Sequence, residues 1–146
     1  MKSGADDPGA ALGAAMAAVL ERGPVPGIVS AYLFGSQAQG RAHRQSDVDV
    51  GVLLRYDVHP SSRARFDARL LLCAALAAAV GREVDVIVLN DAPPLLARHI
   101  ALSGRRIFCA DAERNHAFLR DVQLRAADVE PFVRRTRGVK LAALRR

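Results

Sequence analysis

Tryptophan is absent and cysteine occurs only twice, at Cys73 and Cys109. The two thiols stand apart in apolar surroundings with no CxxC pair, which indicates neither a zinc site nor a disulfide framework and leaves buried free thiols as the expectation. Long hydrophobic runs are also missing. The longest, Leu70 to Val80, has eleven residues, about half of the ~20 that a bilayer span requires, so no membrane crossing is expected. The Ala-rich segment from Ala10 to Leu20 does not read as a secretory signal, because Lys2 is outnumbered by Asp6 and Asp7 where a positive region belongs. A cytoplasmic location is the expectation. Acidic residues are lacking from Pro131 onward, a segment that carries six basic ones, Arg134, Arg135, Arg137, Lys140, Arg145 and Arg146. Such a tail attracts nucleic acid or an acidic protein surface. With no aromatic residue interleaved among the cations to stack on bases, a solvated, partly frayed terminus is the competing reading.

Several catalytic signatures are missing as well. Gly35 to Ala42 comes within a step of a phosphate-binding P-loop, but the lysine and the Ser/Thr that would follow Gly40 are replaced by Arg41 and Ala42. No GxSxG surrounds Ser36 and no HExxH occurs. His43, His59, His99 and His116 are scattered without ligand spacing and read as surface or loop residues.

What is present is the material of a globular domain. Of 146 residues, 51% are hydrophobic and 25% charged, with a net charge of +6; a chain of this size buries about two-thirds of its unfolded surface. Residues 1–146 read as one domain, with a core over about 27–111 followed by a C-terminal helix and basic tail over about 112–146. Pro8 to Arg22 reads as a helix closed by Gly23 and Pro24, and Gly27 to Phe34 as a strand. A second strand spans Val48 to Leu54. A helix follows from Ser61 to Val80, with a serine to cap it and Gly81 to end it. Glu83 to Leu89 is a third strand, a short helix follows Pro93-Pro94, RRIFCA is a fourth strand, and a long helix starts near Ala112. The pattern is α/β (α+β), a small mixed sheet flanked by helices.

The second strand carries the chemistry. Side chains at i and i+2 of a strand share a face, so Asp47 and Asp49 project together while Val48 and Val50 turn to the core. Two carboxylates that close raise each other's pKa unless a cation neutralises them. Oxygen-only ligands suit Mg²⁺ or Mn²⁺ rather than zinc. Asp85, set within the apolar VDVIV, is a candidate third ligand because an acid there needs a partner; an edge-strand acid turned to solvent is the other reading. Glu83 shares its parity but lies at the strand's start. Ahead of the carboxylates, Gly35 and Ser36 leave the first strand in a turn able to offer backbone N–H groups and a hydroxyl to phosphate, or simply to cap a helix. A phosphate cradle beside two or three acids is equipment for metal-assisted phosphoryl or nucleotidyl transfer.

The stretch GSQAQGRAHRQSDVDV, residues 35–50, resembles the Gly-Ser, ten residues, Asp-x-Asp signature of the DNA polymerase beta nucleotidyltransferase superfamily. Asp85 matches the third carboxylate of that family, and the lack of an added acceptor domain resembles the minimal nucleotidyltransferases. Within that group GREVDVIVLNDAPPLLARHIALSGRRIFCAD, residues 81–111, is similar to antitoxins paired with HEPN toxins. The resemblance covers about residues 28–111. It implies Asp47, Asp49 and Asp85 as catalytic metal ligands, Gly35, Ser36 and Arg41 as nucleotide-binding residues, and transfer of AMP from ATP to a tyrosine of a cognate HEPN ribonuclease toxin. Gln37 stands where relatives often carry arginine, and Arg41 or Arg44 would then supply that phosphate contact. Two alternatives remain: an antitoxin that neutralises by binding alone, and a nucleotidyltransferase for a small molecule of the aminoglycoside type.

Overall fold

The computed structural model describes residues 7–35 and 48–144, with side chains described as far as residue 136. Helix α1 (Pro8–Glu21) starts where the Asp7 carboxylate accepts the Gly9 N–H at 2.9 Å, with proline in the first turn, where no intrahelical N–H is required of it. Strands β1 (Ile28–Phe34) and β2 (Val48–Leu54) follow. Helix α2 (Ser62–Val80) is capped by Ser61, whose hydroxyl accepts the Ala64 N–H at 3.0 Å, and ended by Gly81 in the left-handed region at φ 68°. Strand β3 (Val84–Val88), a 3-10 turn (Leu89–Asp91), helix α3 (Pro94–Ser103), strand β4 (Arg105–Cys109) and helix α4 (Ala112–Leu144) complete the order. The elements expected from the sequence are present, with ends that agree to within a residue. The basic tail is helical as far as Leu144, and α4 continues through Pro131.

The four strands form one mixed sheet in the order β3-β2-β1-β4. β1 runs antiparallel to β2 and β4, while β2 and β3 are parallel. A parallel neighbour needs a crossover, and α2 supplies it. On one face Val48, Val50 and Val52 are fully buried against Leu72 and Leu76 of α2 and Met16 of α1. On the other, Tyr32 and Leu53 pack with Ile100 of α3 and with Phe118 and Val122 of α4. The alternation in VDVGVLL follows from this sandwiching, since odd and even positions meet different helices. Gly51 is where α3 comes closest: a Cβ there would stand 2.7 Å from Cγ2 of Ile100.

Two expectations are corrected. His59 is a buried residue of the β2–α2 turn rather than a surface one, because its ring Nε2–H donates to the Pro26 carbonyl at 2.7 Å and ties the turn to the start of β1. Cys73 and Cys109 are free thiols but only partly buried, because Cys73 lies on the flank of α2 beside the β3 edge and β4 is the opposite edge strand. Among the described residues no helix is long and apolar enough to cross a membrane.

Candidate functional site

Three of the residues singled out from the sequence meet at one end of the sheet. Phe34 at the end of β1 pairs with Asp49 of β2, so the next residue, Gly35, turns across that carboxylate. Gly35 has φ 75°, a conformation that L side chains rarely adopt, and an ideal Cβ on it would lie 2.9 Å from Oδ2 of Asp49. Glycine is favoured here by the dihedral, and any Cβ would displace the end of the Asp49 side chain. Asp49 itself is half-buried between fully buried Val48 and Val50, which point to α1 and α2, so its carboxylate projects from the α3 side of the sheet.

Asp85 is the register partner of Asp49 in the parallel β2–β3 ladder. Parallel partners project to the same face from strands about 4.8 Å apart. The two acids therefore share a site although 36 positions separate them in sequence. Of the two readings of Asp85, the edge-strand one describes its exposure: β3 lies at the margin of the sheet and the Asp85 side chain is 54% exposed. Its partner is Arg69 of α2, whose NH2 lies 3.2 Å from Oδ1. Glu83 precedes β3, and its carbonyl accepts the Val48 N–H at 3.1 Å, which sets the register that brings Asp85 to Asp49.

Asp47, Ser36 and Arg41 lie outside the described residues, as do Gln37 and Arg44. Among the described residues no three His, Cys, Asp or Glu side chains gather as a metal cluster. The pair Asp49 and Asp85 offers hard oxygen donors without thiol or imidazole, a donor set that suits Mg²⁺ or Mn²⁺. Sequence reading missed Arg69. The one available signal was a cation directly before the apolar run that begins at Leu70.

The opposite end of β2 has a different character. There a cavity of about 440 Å³ is floored by Val29, Leu53 and Phe118 and rimmed by Arg55, Asp57 and Arg114. Arg55 donates through Nε to Asp57 at 2.9 Å, and this hydrogen bond, aided by the charges of Arg55 and Arg114, holds the Asp57 carboxyl down to about 2.

With this geometry in hand, comparison with known proteins is specific. Residues 18–113 match the family described as Polymerase beta, Nucleotidyltransferase. The chain is 33% identical over 89 residues to the protein adenylyltransferase MntA of Shewanella oneidensis; the match spans 61% of this chain and 60% of that protein's length. A solved toxin-antitoxin structure with AMP-PNP superposes with a TM-score of 0.64 at 25% identity, covering 85% of this chain and 97% of that one. The fold is also shared, with a TM-score of 0.57 at 20% identity, by a chain of the tri-AMPylated Shewanella oneidensis HEPN toxin in complex with MNT antitoxin, over 84% of this chain and 95% of the other.

Proposed function

The chain belongs to the polymerase beta nucleotidyltransferase family, and from that premise we propose that it is a metal-dependent antitoxin that transfers AMP from ATP to a tyrosine hydroxyl of a cognate HEPN ribonuclease toxin. It acts in the cytoplasm as a single domain, with a core over about 27–111. The observation that carries this reading is the pairing of Asp49 with Asp85 beside the tight Gly35 turn, in a chain similar to a protein adenylyltransferase.

In this reading Asp47, Asp49 and Asp85 hold Mg²⁺ or Mn²⁺, while Gly35, Ser36 and Arg41 hold the triphosphate. A bound divalent cation supplies charge neutralisation at the phosphates and lowers the cost of forming the phenolate. The tyrosine oxygen forms a bond to the α-phosphorus, the bond from that phosphorus to the β-bridging oxygen breaks, and pyrophosphate leaves with the electron pair. In the same reading Asp85 takes the hydroxyl proton, a role supported by a side chain open to solvent over half its surface. The left-handed Gly35 adds no side chain of its own beside the Asp49 carboxylate.

The test is to incubate the purified toxin with ATP, Mg²⁺ and either wild-type protein or Asp49→Asn, then record the toxin's intact mass. Wild type adds one or more AMP units, and the variant slows the addition by at least ~10²-fold, the scale of removing a preorganised electrostatic stabiliser. Full neutralisation of the toxin by Asp49→Asn with no mass gain in either sample overturns transfer and leaves neutralisation by binding.

A further inference from the structure

Strand β3 closes one side of the sheet, with no strand beyond it among the described residues. Because the Val48 N–H bonds to the Glu83 carbonyl, residues 83, 85 and 87 turn their backbone groups toward β2. Those of Val84, Val86 and Val88 then face outward, since successive residues of a strand alternate. One of these outward carbonyls, that of Val86, accepts Nε of Arg69 at 2.6 Å, from the guanidinium that also reaches Asp85. An arginine laid on a strand edge occupies the position that a further strand would take.

The edge lies in a groove. One cavity of about 450 Å³ is lined by Phe66, Arg69, Asp85, Val86 and Leu96, and a second of about 450 Å³ by Leu70, Cys73, Ala77, Glu83 and Asp85. They meet at Arg69 and Asp85, so the groove follows β3 along its length. Phe66 and Leu70 stand one helical turn apart on α2 and are 49% and 50% exposed, large apolar side chains left half open on one wall. The arginines beside the groove are paired, Arg65 with Asp91 at 2.9 Å and Arg69 with Asp85, and Glu83 adds a further acid to its lining.

We propose that this groove binds the acceptor segment of the partner protein as an extended strand, added to β3, with its hydroxyl-bearing side chain set opposite Asp85. The inference rests on the transferase reading and adds to it the surface that selects the acceptor. The chemistry of the groove picks its occupant. A row of outward peptide groups flanked by apolar side chains recognises an extended peptide, whereas matched ion pairs give no net positive field to retain a triphosphate. Asp85 belongs both to the groove and to the carboxylate pair, so a segment seated there is delivered to the reacting end of the sheet. A residue directly opposite Asp85 in an added strand points to the same face as Asp85. On docking, the incoming N–H replaces Arg69 at the Val86 carbonyl, which releases Asp85 from its ion pair.

The experiment uses the full chain, the purified HEPN toxin and the Phe66→Glu/Leu70→Glu double variant, whose changes lie on an exposed helix face. Residue-resolved amide exchange in wild type is expected to slow at least ~10-fold at Val84, Val86 and Val88 when toxin is added, and the double variant loses that protection. The variant keeps its ATP affinity within ~2-fold, while AMP addition to the toxin falls at least ~10-fold, chiefly through a raised KM. Unchanged exchange at the three valines in the wild-type complex overturns the proposal, as does undiminished transfer by the folded double variant. Protection of β3 without any AMP addition by wild type leaves the docking groove standing and removes the transferase reading on which its acceptor role depends.

Discussion

Gly35 stands so close to Asp49 that a Cβ added to it would lie 2.9 Å from the Asp49 Oδ2. The atom that must yield is the end of a carboxylate, which can swing aside, so the steric cost is small and the functional cost is not. Gly35→Ala is expected to lower AMP transfer at least ~10-fold by displacing Asp49, with a loss of about 1 kcal/mol in stability from the positive φ. A thermal melt beside a transfer assay checks both, and full activity in the variant contradicts the crowding of Asp49.

The buried side-chain amide of Asn115 holds α4 to β1. Its Oδ1 accepts the Ser30 hydroxyl at 2.7 Å and the Tyr32 hydroxyl at 2.9 Å. Asn115→Ala leaves two buried hydroxyls without their acceptor and opens a small cavity, a combined loss of about 2–4 kcal/mol. Tyr32→Phe removes one donor and leaves Ser30 bonded, so it is expected to cost about 1 kcal/mol. Chemical denaturation of the two variants reads the difference.

A second polar clamp secures the far end of β2. Asn90 offers Oδ1 to the Leu54 N–H at 2.9 Å and donates Nδ2–H to the Leu54 carbonyl at 2.8 Å, continuing the ladder where β3 has ended. Asn90→Ala is expected to destabilise by about 1–3 kcal/mol and to speed amide exchange at Leu54 while leaving Val50 protected. Equal exchange at Leu54 in both proteins rules the clamp out.

Asp57 predicts an acid-sensitive contribution to stability. Its carboxyl is held to about 2 in the folded protein, against 3.8 ordinarily, through its hydrogen bond with Arg55. A depressed folded value means the unfolded chain binds the proton first. The contribution is complete above about pH 4 and is lost as pH falls toward 2. Asp57→Asn is expected to flatten the melting temperature over that window and to change little at pH 7 and high salt, where an exposed pair is screened. Parallel acid limbs for the two proteins would refute the assignment.

The reach of the sequence differs from residue to residue. The place of Asp49 on a strand between core-facing valines was legible because alternation is a local property, written in VDVGVLL. The caps at Ser61 and Gly81 were legible for the same reason. Arg69 was not, because its two contacts lie on β3, sixteen and seventeen positions away, and nothing in the helix sequence marks which face meets the strand edge. His59 was legible as a loop residue, but its burial was not, because its partner, the Pro26 carbonyl, belongs to a segment 33 positions earlier. The half-exposure of Asp85 was left as one of two readings, because five apolar-rich letters read alike for a central and an edge strand.

Local spacing, turn chemistry and the resemblance carried by residues 35–50 and 81–111 thus determined the element order, the mixed α/β character and the candidate carboxylates. Only the tertiary structure decided that β3 joins β2 in parallel at the margin of the sheet, that this register sets Asp85 opposite Asp49, and that Arg69 lies along the open edge. Strand order and register are set by which hydrophobic faces are buried together across the whole chain, and that sum over distant contacts has no counterpart in any short stretch of sequence.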